Sequence, residues 1–246
     1  MELLGQQKVQ EDAYEFPYHY VVKFKDSFSF VYLFDWGINY ASTIEFLLKK
    51  IASTGNIKSI IDIGCGDGRF TRELYECFPR SLVIGVDYSE RSIRLAQGLN
   101  SDLGINFRSA NIINDNLNEQ FESAALMEVY EHIEPELADS FLQGVNRLLV
   151  KDGVLHLTVP HENIPVSAHH FRHFTISSLT AELEKYFEIV EVIPFEKKSF
   201  LRKWLLRCFV NKFFILNLRA AKNFLYKFYK KNLFFVENEF ECPGFK

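Results

Sequence analysis

Cysteine is scarce in this sequence. There are four in 246 residues, Cys65, Cys77, Cys208 and Cys242, with no C-x-x-C spacing and no paired framework. That pattern excludes a disulfide scaffold and reads as free thiols in a reducing compartment. No apolar run approaches the ~20 residues that cross a bilayer, so no spanning segment is expected. The first twenty residues are acidic and aromatic and lack an apolar stretch behind a basic start, which argues against a secretion signal and makes a cytoplasmic chain the expectation. Internal repeats and low-complexity linkers are absent as well. A formal net charge of −4 weighs against a chain that binds nucleic acid over its whole surface.

What the sequence does have is ordinary in bulk, at 48 % hydrophobic and 24 % charged residues, apart from 25 phenylalanines. The length suffices for one large domain with an appendage. Residues 1–38 are irregular and aromatic, from Tyr14 and Phe16 to Tyr32, and read as a lid or cap segment. Residues 39–246 read as the main domain. A helix is expected at about 39–53, where Ile44, Leu47, Leu48 and Ile51 recur at helical spacing. Short apolar strands then alternate with helices. Strands are expected at 58–63, 82–87, 105–109, 123–129 and 154–159, with further ones at 189–195 and about 233–240. Helices are expected at 69–78, 89–99, 135–150 and 175–187, with Ser89 as an N-cap and Pro135 in a first turn. The alternation implies an α/β fold with a doubly wound, mostly parallel sheet covered on both faces.

The strand Ile60-Ile61-Asp62-Ile63 runs into Gly64-Cys65-Gly66-Asp67-Gly68 and then a helix. Glycines there permit a tight turn and a close approach of ligand to backbone. Asp87 ends the next strand, where a carboxylate can accept hydrogen bonds from both ribose hydroxyls. A dinucleotide site would read G-x-G-x-x-G, with pyrophosphate at the helix amino end. Here the third glycine comes one residue early. Asp62 also places negative charge where a phosphate would be repelled and an ammonium welcomed.

The D-x-G-C-G-D-G loop, with Gly85-Val86-Asp87, resembles the first motif and its successor in class I S-adenosylmethionine-dependent methyltransferases. The resemblance covers roughly residues 55–195. It implies a Rossmann-like, seven-stranded sheet whose last strand is antiparallel, preceded here by a helical insert. It further implies that Asp62, Gly64, Cys65 and Gly66 surround the methionine end of the cofactor, with Glu128 nearby. Asp87 would hold the ribose, Tyr88 would lie against adenine, and Asn111 would reach the adenine amino group.

Beyond the fourth strand lies Glu128-Val129-Tyr130-Glu131-His132, at the end of the sheet where ligands bind in open α/β folds. Two chemical readings stand side by side, with a purely structural one beside them. In the first, Glu128, Glu131 and His132 converge within one helical turn on Mg²⁺ or Mn²⁺. The Glu-x-x-Glu-His segment resembles that of small-RNA 2′-O-methyltransferases and ubiquinone-pathway O-methyltransferases, whose metal holds neighbouring acceptor hydroxyls. By that resemblance a later histidine completes the set, and among His169, His170 and His173 the expected ligand is His170. In the second, His132 is a metal-free general base oriented by Glu131.

His161 and Asn163 follow the fifth strand on the same side and are expected to contact acceptor, as is His170. His156 reads as a satisfied core residue. The stretch 171–184 loosely resembles one common in methyltransferases of lipids, quinones and glycans.

Residues 197–231 carry eleven Lys or Arg and no acid, interleaved with Trp204, Phe209 and Phe213. First in order is a helical cap on its own domain with solvated charges. Peripheral contact with an anionic membrane comes second, and an anionic acceptor third. The expected activity is O-methylation of a small-molecule or glycan-like (saccharide) acceptor. RNA 2′-O-methylation is the enzymatic alternative, and a non-catalytic methyltransferase-fold partner subunit is the alternative from another class. For the aromatic amino-terminal segment the alternative to a lid is packing on the sheet edge or against a second copy in a homo-oligomer.

Overall fold

In the computed structural model, the structure describes residues 5–14, 35–115, 117–195, 200–201, 204 and 219–232. The expected strand at 233–240 and most of the aromatic segment lie outside them. The chain divides into two compact units, one of residues 1–17 and 50–192 and one of residues 18–49 and 193–246.

The first unit holds a five-stranded, wholly parallel sheet: β1 (Ser59–Ile63), β2 (Leu82–Asp87), β3 (Asn106–Ser109), β4 (Phe121–Met127) and β5 (Leu149–Thr158), in the order β3-β2-β1-β4-β5. The helices are α1 (Gly5–Ala13), α2 (Asp35–Ser53), α3 (Arg69–Cys77), α4 (Glu90–Leu99), α5 (Ala138–Arg147), α6 (Ile176–Leu183) and α7 (Arg219–Asn232). Central strand β1 explains its own composition. Ile60, Ile61 and Ile63 are all buried, as a strand covered on both faces requires. Ile61, Ile63, Ile84 and Leu126 from β1, β2 and β4 join Phe141, Leu142 and Val145 of α5 in the main core.

Local signals set the helix starts. Ser89 accepts the Ser92 N–H at 3.2 Å to cap α4, and Thr175 and Ser178 form a reciprocal capping box at α6. Pro135 opens a 3₁₀ turn (Pro135–Leu137) that leads into α5, so the expected helix at 135–150 starts later and ends at Arg147.

Two expectations need correcting. Residues 189–195 form no strand; Val190 is 90 % exposed, and the alternation of β-branched residues there pairs with no strand among the described residues. Cys65 is a free buried thiol, but Cys77 is disulfide-bonded rather than free.

In the second unit, α7 brings Lys230 to Glu45 at 2.6 and 2.7 Å and Tyr226 to the same carboxylate at 3.0 Å, while Tyr229 is fully buried beside Asn39. At least one cation of the basic segment is thus used within its own unit. No helix among the described residues is long and apolar enough to cross a membrane.

The strand order decides where a ligand can sit. From β1 the chain moves outward through β2 and β3, then returns to place β4 on the other side of β1. A crevice opens beyond the carboxyl ends of β1 and β4, where the direction of winding reverses. The glycine loop and the Glu128–His132 segment follow those two strands.

Candidate active site

The loop after β1 is tied down by its own backbone. The N–H groups of Gly64 and Cys65 both donate to Val86 O, at 2.8 and 3.0 Å, and that of Gly68 donates to Cys65 O at 2.9 Å. The Gly66 N–H donates to Asp87 Oδ2 at 2.9 Å, and Ser89 N–H donates to Asp87 Oδ1 at the same distance. Asp87 therefore fastens the loop to the end of β2, with each carboxylate oxygen keeping a second lone pair for a ribose hydroxyl. At Gly64 (φ 75°) a Cβ would lie 2.6 Å from a Val129 methyl, so the residue is held to glycine by conformation and by space.

Asp62 is fully buried and accepts the Thr71 hydroxyl at 2.6 Å. Burial pushes its pKa up to about 7; the Thr71 bond opposes that shift and the Asp87 charge adds to it. Asp87 is also raised, chiefly by burial, while its bonds to Ser89 and Gly66 pull the other way. Asp62, Asp67 and Asp87 all act on the buried Cys65 thiol and help burial push it well up.

Carboxylates thus crowd a loop in which the N–H groups of 64, 65, 66 and 68 are already spent. A pyrophosphate needs such donors and no neighbouring negative charge. The arrangement suits a ligand that brings hydroxyls and positive charge.

Tyr88 stands half exposed beyond β2, its hydroxyl pushed up to about 12 by burial and the Asp87 and Glu11 charges. Asn111 makes a local turn in which its Oδ1 accepts the Ile113 N–H at 3.1 Å. Its Oδ1 keeps a second lone pair, so toward a purine the side chain can accept from an amino group as well as donate through its NH₂.

On the other side of the crevice, Glu131, His132 and His170 bring ligand atoms within 4.8 Å of one another, the one such set among the described residues. Glu128 is not in it. Residues Tyr130–His132 form a 3₁₀ turn instead of a helical one, and Glu128 adopts φ 56° with its N–H on Thr158 O and Oγ1. The expected one-turn convergence of Glu128 and Glu131 is therefore lost, although the Glu128 charge still reaches Glu131.

The hydrogen bonds assign the imidazole tautomers, taking the rings as neutral. His173 Nδ1 faces Ile164 O at 2.8 Å, so it carries the proton and its Nε2 accepts. His170 Nδ1, 2.7 Å from that Nε2, must then donate. His132 Nδ1 donates to His169 O at 2.8 Å. Both His132 and His170 are left with lone pairs on Nε2. The orienter of His132 is thus the His169 carbonyl and not Glu131.

Glu131 is fully buried, and neither carboxylate oxygen has a hydrogen-bond partner. Burial, then the Glu128 charge, push its pKa well up, whereas burial lowers His132 and takes His170 down to about 4. Sequence reasoning missed what buttresses this cluster. Arg172 makes two bonds to Glu182, 2.6 and 2.9 Å, and lies over the rings of Tyr130 and Phe174, while the Tyr130 hydroxyl bonds Glu182. Phe171 N–H also donates to Glu131 O at 2.9 Å, so the histidine segment is clamped to the turn after β4.

His161 and Asn163 are exposed and share a turn, the Asn163 N–H donating to His161 Nδ1 at 3.1 Å. His156 is only partly a satisfied core residue, because its buried Nε2 has no partner and burial lowers it to about 4.

Residues 60–153 match the family model described as Methyltransferase domain. This segment of the chain is therefore similar to a methyltransferase domain. Among curated relatives it is 30 % identical over 81 residues to malonyl-(acyl-carrier protein) O-methyltransferase of Bacillus cereus, covering 33 % of this chain and 30 % of that one. It is 25 % identical over 131 residues to protein-lysine N-methyltransferase EFM4 of Saccharomyces cerevisiae, covering 47 % and 57 %. The chain thus spans well under two thirds of the length of either relative.

Solved structures share the fold. The N-methyltransferase NodS of Bradyrhizobium japonicum, in complex with S-adenosylhomocysteine, matches with TM-score 0.54 and 18 % identity over 65 % of this chain and 81 % of its own. Magnesium protoporphyrin IX methyltransferase of Synechocystis with bound S-adenosylmethionine matches with TM-score 0.58 and 16 % identity over 76 % and 88 %.

Proposed function

We propose that this chain is a methyltransferase that takes S-adenosylmethionine at the glycine loop and O-methylates a hydroxyl of a small-molecule or glycan-like acceptor beside Glu131, His132 and His170. The observation that carries the cofactor half is the crowding of Asp62, Asp67 and Asp87 at a loop whose N–H groups at 64, 65, 66 and 68 are already hydrogen-bonded, which disfavours a pyrophosphate. Bound there, S-adenosylmethionine supplies an already activated methyl group. The protein's own task is alignment and exclusion of water. Asp62 fits the ammonium, Asp87 the ribose hydroxyls, Tyr88 a face of the adenine, and Asn111 the adenine amino group.

On the acceptor side, Glu131, His132 and His170 bring ligand atoms within 4.8 Å of one another, and the buried Glu131 carboxylate has no hydrogen-bond partner to offset its burial. Glu131, His132 and His170 would hold a divalent cation, which would supply Lewis acidity toward an acceptor hydroxyl. Two imidazoles with one carboxylate suit Mn²⁺ better than Mg²⁺, which prefers oxygen ligands. The second reading rests on His132 itself. Its lowered pKa keeps Nε2 unprotonated at neutral pH, ready to take the hydroxyl proton. Activity lost in EDTA and restored by Mn²⁺ selects the cation. Full activity in EDTA selects His132 as base.

Calorimetric titration tests the cofactor. S-adenosylmethionine is expected to bind and NAD⁺ not to bind; the reverse would overturn the proposal. A pH series sharpens the test. If the ammonium needs ionised Asp62, whose pKa in the free protein is about 7, protonation competes with binding below that pH. The dissociation constant should rise toward tenfold per unit between about pH 7 and 5.5 and stay flat above about 8. A flat profile throughout would remove Asp62 from the ammonium site.

A further inference from the structure

One stretch of the chain concentrates cations and exposed aromatic rings together. Residues 197–231 hold eleven Lys or Arg and no acid; with −4 overall, the rest of the chain carries −15. Among the described residues, the exposed phenylalanines and tryptophan are Phe200 (85 %), Trp204 (56 %) and Phe224 (68 %), all within that stretch, and Leu201 is exposed next to Phe200. Single exposed apolar residues are ordinary, but their collection in the basic part of an acidic protein is not.

Helix α7 shows how such side chains are arranged. Its inner face is spent within its own unit: Tyr229 is fully buried and bonds Asn39, while Lys230 and Tyr226 bond Glu45. Ala220, Phe224, Lys227 and Lys231 are exposed. At 3.6 residues per turn, steps of four, three and four residues align these in one stripe, opposite Tyr229. The helix carries five cations and no acid, so Lys227 and Lys231, one turn apart, repel with nothing on the helix to offset them.

An outward stripe of phenylalanine and lysine fits a surface that is anionic outside and apolar just beneath. The headgroup layer of an acidic bilayer is such a surface: rings insert while lysines stay at the phosphates. RNA would match the charge and stack on the rings, but it offers no seat to an exposed aliphatic side chain such as Leu201. We propose that the basic stretch docks the protein on an anionic lipid surface, with Phe200, Trp204 and Phe224 entering the interface and Lys227 and Lys231 contacting headgroups.

The test is vesicle co-sedimentation of the full chain, with Trp204 emission as a second readout. Wild type should bind vesicles of mixed phosphatidylglycerol and phosphatidylcholine, ignore phosphatidylcholine alone, and come off as salt rises. Binding should shift Trp204 emission to the blue, a shift absent from Trp204→Phe. Replacing both lysines, Lys227→Ala with Lys231→Ala, should weaken binding about 30-fold, or about fivefold per charge. Phe224→Ser should weaken it roughly tenfold. These three positions are exposed, so the variants should melt with wild type. No binding by wild type, equal binding to neutral vesicles, or binding unchanged in either variant overturns the proposal. Binding of an RNA oligonucleotide by a wild type that ignores the vesicles would overturn it in favour of nucleic acid.

Discussion

Asp87→Ala is expected to cost the protein its cofactor and a measurable part of its stability together. The carboxylate accepts the Gly66 and Ser89 N–H groups at 2.9 Å in a buried setting, so its removal strands two donors and unfastens the loop from β2. Each stranded donor costs about 1–3 kcal/mol. At about 2–4 °C per kcal/mol for a protein of this size, the melting temperature should fall by roughly 4–24 °C. If Asp87 holds the ribose as proposed, affinity for S-adenosylmethionine should also drop at least about 100-fold (two hydrogen bonds to a charged group at ~1.5 kcal/mol or more each). Asp87→Asn separates the effects: an amide accepts one N–H but not both, so it should fall between wild type and alanine in melting temperature. Calorimetry and thermal melts on both variants check this. A normal melting temperature in Asp87→Ala would mean that the loop holds without its carboxylate.

Glu131→Gln should act in opposite directions on stability and on function. The wild-type carboxyl is buried without a hydrogen-bond partner and has its pKa raised well above the ordinary 4.5. A raised folded-state pKa means that the folded, metal-free protein binds the extra proton. Its contribution is present at low pH and is lost as pH rises from about 4.5 through the folded value. At pH 8 the metal-free wild type bears the cost either of burying the charge or of holding the proton, and Glu131→Gln bears neither. The variant should then melt higher, by about 2–4 °C for each kcal/mol recovered, with the difference vanishing near pH 4.5. In Mn²⁺ the order should reverse. Loss of a ligand should weaken cation binding beyond the 10–100-fold typical of outer-shell changes, and methyl transfer should fall with it. Thermal melts in EDTA and in Mn²⁺ at two pH values read this out without an acceptor. A variant that melts lower than wild type in EDTA at pH 8 would mean that Glu131 has a polar partner.

The sequence by itself determined the plan of the parallel sheet and the place of the glycine loop in it. Five parallel strands interleaved with helices were legible because their signals are local: β-branched runs such as Ile60-Ile61, the Ser89 cap, and glycines where the backbone must turn. Asp62 and Asp87 stood out for the same reason, since a strand end followed by a glycine-rich turn is a contiguous pattern.

Only the tertiary structure decided which polar groups meet. Glu128 looked equivalent to Glu131 at helical spacing, but the chain makes a 3₁₀ turn there and a positive φ at Glu128, and the set that converges is Glu131, His132 and His170. The partners that set protonation, His169 O for His132 and His173 for His170, sit at the far end of a loop that folds back onto the turn after β4. Tyr14 is further still, 52 positions before Gly66, where a Cβ would meet its hydroxyl. A buried polar atom must find some partner, and sequence spacing cannot say which. That choice is made when distant segments are pressed together, by the cost of leaving the wrong group unpaired.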